Sequence, residues 1–65
     1  MITEKEIALS EVLHARQNVA LARQNFNYAT GSYVGAAIEA LNIAERDYEK
    51  ANQKLHEVCE RIRNS

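Results

Sequence analysis

Phe26-Asn27-Tyr28-Ala29-Thr30-Gly31-Ser32-Tyr33-Val34 interrupts an otherwise regular pattern. Upstream of it, apolar residues recur at steps of three and four: Ala8, Val12, Ala15, Val19, Ala22, Phe26 and Ala29. That spacing is the seam of a heptad helix. Downstream, a second seam runs through Val34, Ala37, Leu41, Ala44, Tyr48, Ala51, Leu55, Val58 and Ile62. With Val12, Val19 and Phe26 at heptad position a, the first series places its next a at residue 33, yet the second series has it at Val34. The phase slips by one residue inside the quoted stretch. There, Gly31 can take the left-handed conformation that ends a helix and Ser32 can cap the next one.

Two helices joined by a tight turn pack antiparallel, so the a residue of one shares a layer with the d residue of the other and facing residue numbers add to a constant. The pairs 12/51, 19/44 and 26/37, together with 8/55, 15/48, 22/41 and 29/34, all add to 63. Each layer sets a larger residue against alanine: Val12 on Ala51, Val19 on Ala44, Phe26 on Ala37, and in return Ala8, Ala15, Ala22 and Ala29 on Leu55, Tyr48, Leu41 and Val34. The midpoint of this register falls between Gly31 and Ser32, where composition had placed the turn. The sequence therefore predicts an all-α fold, an antiparallel two-helix hairpin with an alanine-rich, coiled-coil-like seam. It forms one domain over residues 1–65, with helix 1 over about 4–29, the turn over about 30–32 and helix 2 over about 33–63.

Local signals agree with that reading. Thr3 and Glu6 form a capping box, and Ile2 and Ile7 can close a hydrophobic staple around the start of helix 1. At one edge of the seam Glu4 is expected near Arg61 and Glu11 near Lys54. Such exposed pairs contribute only ~0.2–1 kcal/mol each and select register more than they stabilise.

Composition limits what the hairpin can do alone. A chain of 65 residues, 46% apolar and without proline, buries a low fraction of its surface, and small scaffolds usually gain support from disulfides, a metal or self-association. The single cysteine, Cys59, excludes an internal disulfide, which leaves self-association as the expected support. A net charge of -1 provides no overall field to draw nucleic acid, anionic membrane or acidic substrate. No apolar run approaches the ~18 residues of a membrane span, and the leading residues lack the basic and apolar regions of a secretory signal. A cytoplasmic setting without membrane contact is expected.

Beside the seam the other edge carries Leu9, Leu13, Ala20, Ile38 and Cys59, interleaved with Arg16, Arg23 and Glu45. The two-helix seam cannot fully bury these, and an apolar strip left beside a helix seam usually meets another chain. These eight residues form the expected interaction edge, and a second hairpin docking there would complete a four-helix bundle. Arg16 and Arg23 lie close enough to Glu45 for an ion pair. Two cations are fewer than the several phosphate contacts of tight nucleic-acid binding, so nucleic acid is not the expected partner.

Catalytic chemistry is not indicated. His56, Cys59 and Glu60 cluster within about a helical turn, but a structural zinc site takes four ligands and His14 falls on a different face. No base, oxyanion donor or orienting group accompanies Cys59, which reads as a small hydrophobe beside the seam. Gly31 and Gly35 are the only glycines and belong to no phosphate loop. Gly31 serves the turn, and Gly35 is read as permitting close approach of the helices. Tyr28 and Tyr33 flank the turn and are placed to cover the end of the core, whereas Tyr48 belongs to the core with its hydroxyl outward. No catalytic residue, cofactor or metal is expected.

The stretch Asn25-Phe26-Asn27-Tyr28-Ala29, then Tyr33-Val34 and Ala36-Ala37-Ile38-Glu39-Ala40-Leu41-Asn42-Ile43-Ala44-Glu45-Arg46-Asp47-Tyr48, resembles the small YaaL-like family of uncharacterised proteins in Gram-positive bacteria. The resemblance implies a short helical pair with an aromatic before the turn, here Phe26, and the series Ala37, Ile38, Leu41, Ala44, Glu45 and Tyr48 after it. Gly35 stands where that pattern has an acidic residue, and Leu55-His56-Glu57-Val58-Cys59-Glu60-Arg61 replaces a lysine-rich ending. The resemblance implies no activity. The functional expectation is thus a non-enzymatic helical interaction protein, a homodimer that binds another protein. Two alternatives stay open. One is an RNA-binding bundle that resembles the Rop-like proteins in length and hairpin form, using Arg16, Arg23, Arg46 and Lys50. The other is a small inhibitor protein from a mobile element.

Overall fold

A computed structural model of the protein describes residues 2–64; Met1 and Ser65, the ends of the expected domain, lie outside the described residues. Two helices, α1 (Glu4–Tyr28) and α2 (Tyr33–Asn64), run antiparallel and pack on each other. The α1 start is fixed by Thr3, whose Oγ1 accepts the Glu6 backbone N–H at 3.2 Å while its carbonyl accepts the Ile7 N–H at 3.1 Å. The first bond satisfies one of the donors that a helix start leaves without intrahelical partners, and the second is the first i→i−4 bond of the helix. Ile2 and Ile7 both remain exposed, so the expected staple removes little apolar surface from water.

The turn departs in detail from its sequence reading. Helix α1 ends at Ala29, which leaves in an extended conformation (φ -71°, ψ 139°) and donates its N–H to the Phe26 carbonyl. The left-handed residue is Gly31, at φ +59°, three positions beyond Tyr28, the last helical residue. It therefore reverses the chain after the helix has already ended. The Tyr33 and Val34 N–H groups donate to the carbonyls of Thr30 and Gly31 at 3.2 and 3.3 Å. The turn's own backbone thus supplies the α2 cap expected from Ser32. Gly35 also corrects its reading: a Cβ built there meets nothing within 4 Å, so close helix approach does not require glycine at this position.

Burial follows the seam residue by residue. Among the described residues the buried ones are Ala8, Ala15, Val19, Ala22, Ala44 and Val58, all seam positions. Val12, Ala29, Val34, Ala37, Leu41, Tyr48, Ala51 and Leu55 are half-buried. Val19, Ala22 and Ala44 form the central cluster with Leu41 and Tyr48 packed against it, which realises the 19/44 and 22/41 layers. The register is marked again at the edge: Arg61 Nη1 lies 3.1 Å from Glu4 Oε1, and Lys54 Nζ lies 3.3 Å from Glu11 Oε1. Ile62 stays exposed. Phe26 is exposed at the turn end. The open end is sealed more tightly, with Ala8 and Val58 each 1% exposed.

Candidate functional site: the two faces of the hairpin

Four of those six buried residues are alanines, and an alanine methyl brings only ~0.8 kcal/mol of apolar burial. The hairpin is also thin: its Cα extents are 53 × 19 × 12 Å. Two packed helices form a slab with two broad faces. Heptad geometry assigns positions e and b to one face and g and c to the other, because those positions flank the a and d seam on opposite sides.

The e/b face carries the edge expected from the sequence. Leu9, Leu13 and Ile38 are exposed there, Leu13 at 57%, and Cys59 is half-buried with a free thiol. Ala20, Arg16, Arg23 and Glu45 line one shallow groove with Val19, Tyr48, Glu49 and Asn52. The structure therefore brings Arg16, Arg23 and Glu45 together, but no ion pair joins them among the described residues. All three side chains are exposed, and holding two long side chains in one geometry in water returns little. Leu9 and Leu13 lie toward the open end of this face and Ile38 toward the turn, with the charged groove between them.

The g/c face was not singled out by the sequence. Toward the open end it holds the Glu4–Arg61 and Glu11–Lys54 pairs, and its groove is lined by Glu11, His14, Asn18, Asp47, Lys50 and Lys54 among others. Toward the turn it changes character. Leu21 and Ile43 are 59% and 52% exposed, and Tyr28 and Tyr33 are more exposed still, with the exposed residues Asn25, Ala36 and Ala40 around them. No residue between Arg23 and Glu39 is charged. That uncharged run, in a chain that is 26% charged, was the signal available to find this patch. Tyr28 and Tyr33 do not cover the core end as expected; they project into solvent on either side of the turn.

No family model, curated protein or solved structure matches the chain. Function has to be argued from its two faces. His56 Nε2 lies 3.8 Å from Glu60 Oε1 on an exposed stretch of α2. No group of three His, Cys, Asp or Glu residues converges for a metal among the described residues. No described helix is long and apolar enough to cross a membrane. The cations named for RNA do not share a face: Arg16 and Arg23 line the e/b groove beside two glutamates, Lys50 lines the g/c groove, and Arg46 takes the outer f position of α2.

Proposed function

We propose that this chain is a non-enzymatic interaction protein of the cytoplasm. It pairs with a second copy of itself as half of a four-helix bundle and presents its remaining face to another protein. The observation that supports the reading is surface area. A compact protein of this mass, 7.4 kDa, exposes about 4,200 Å²; this chain exposes 5383 Å². The excess is of the order that one partner contributes to a stable protein interface, about 800 Å², and one broad face of the slab is large enough to supply it. Among the described residues eleven large apolar side chains stand exposed, several of them on each face, so one face remains for a second protein after the other is covered. Of the eight residues of the expected edge, Leu9, Leu13, Ala20, Ile38 and Cys59 are the apolar contacts, and Arg16, Arg23 and Glu45 are the polar groups around them.

The test is molar mass by light scattering across a wide concentration range, in reducing buffer so that Cys59 cannot cross-link chains. A constant mass of twice the chain is expected. A well-folded monomer at high concentration would remove the self-association half of the proposal.

A further inference from the structure

We infer that the second copy docks on the g/c face, with both turns at the same end and α1 of one chain lying on α2 of the other. The inference rests on the self-association proposed above and adds which surface is used and in which orientation. A twofold axis parallel to the helices keeps every residue at its own level, so the register that relates α1 to α2 within the chain also relates α1 to α2 of the second copy. Leu21 then comes level with Ile43 of the other copy, and Tyr28 with its Ala36. Both pairs place exposed apolar surface on exposed apolar surface, the second in the large-on-alanine manner of the seam itself.

Charge supports the same orientation. On this face α1 carries Glu4 and Glu11 and no lysine or arginine, whereas α2 carries Lys50, Lys54 and Arg61 along with Asp47 and Glu57. Docking α1 on α2 of the second copy brings Glu11 between its Lys50 and Lys54 and sets Glu4 beside its Arg61, turning two exposed intrachain pairs into a network across the interface. Opposite-end docking would lay α1 on α1, where the acids meet no lysine or arginine. Complementary charge of this kind sets orientation and suppresses the wrong arrangement. The e/b face fits a same-end partner poorly. Its Leu13 would come level with Glu49 of the other copy and its Ile38 with Arg23, a charge at each end of the face, whereas on the g/c face only Ile7, at the open end, comes level with a charge, Glu57. Uncharged centres with exposed aromatics are also what interface cores favour, and only the turn half of the g/c face has that composition. Docking there leaves Leu9, Leu13 and Cys59 open for another protein.

The experiment uses the full chain with Cys59→Ser and a single nitroxide on Ser32→Cys in the turn. Helix axes packed 8–10 Å apart put the two labels of a same-end dimer within about 25 Å; an opposite-end dimer separates them by a distance approaching the 53 Å length of the hairpin. In parallel, Leu21→Arg and Ile43→Arg are each expected to weaken dimerisation at least tenfold, and Leu13→Arg to leave it unchanged. All three side chains are exposed in the hairpin, so retained helicity by circular dichroism verifies that the fold survives. A dimer with distant turn labels, or one broken by Leu13→Arg but not by Leu21→Arg, overturns this docking and leaves self-association standing. A monomeric parent chain overturns both.

Discussion

Gly31 and Gly35 are four residues apart, yet their substitution by alanine has opposite expected outcomes. Gly31 sits at φ +59°, a conformation that crowds an L side chain's Cβ against the following carbonyl at about 1–2 kcal/mol. Gly31→Ala is therefore expected to lower stability by about 1 kcal/mol even though open space surrounds the position. Gly35 is helical and equally uncrowded, so Gly35→Ala gains helix propensity and reduces unfolded-chain freedom, raising stability by about 0.5–1 kcal/mol. Urea unfolding of the two variants checks both signs; a loss at residue 35 would mean that something packs there after all. The sequence made the first glycine legible, because a phase slip between two seams demands a reversal. It left the second illegible, because a sequence shows that a side chain is missing without showing whether anything fills the space. The same limit hid the α2 cap, where the carbonyls of Thr30 and Gly31 do the work expected of Ser32.

Helix pairing is governed by the alternation of large residues with alanine across each layer, and substitutions two positions apart should separate seam from face. Ala22 is buried in the central cluster, so Ala22→Leu overfills a layer already occupied by Leu41 and is expected to lower stability by about 1–3 kcal/mol. Ala20 is exposed, and Ala20→Leu should change stability by less than about 0.5 kcal/mol. Equal effects at the two positions would contradict the register. At the edge, Glu11→Gln removes the pair with Lys54, whose partners are about half exposed. A loss of about 0.2–1 kcal/mol is expected, fading in high salt as screening shortens the reach of surface charge. Seam, register and both cross-helix ion pairs were legible because helical periodicity and an antiparallel turn together fix which residues can meet. The turn-half patch was legible only as an uncharged run of sequence, since Leu21 and Ile43 occupy c positions that read as isolated exposed residues in each helix alone. They become one surface only when the two helices lie side by side.

At the scale of the whole molecule, thinness decides what must be added. The radius of gyration is 15.1 Å, against about 11 Å for a compact chain of this length, and a slab one helix thick cannot shield its seam from both sides. If a second copy supplies one missing layer, association adds to the stability of each hairpin, and thermal stability must depend on concentration because dilution removes that support. The size of the effect follows from general constants. A tenfold change in concentration is worth about 1.4 kcal/mol, and unfolding two chains of 65 residues at about 2.1 cal/mol/K per residue converts this to a shift of about 5 °C in Tm. Over a hundredfold range the midpoint of the helical circular dichroism signal should therefore climb by about 10 °C, with Cys59 kept reduced throughout. The Leu21→Arg chain, read at the same concentrations, should unfold at a lower temperature that no longer moves with dilution, because it has lost the partner and not the hairpin. A parent chain whose midpoint stays fixed across that range would be stabilised by its own thin seam alone. Both faces would then be free for partners other than itself.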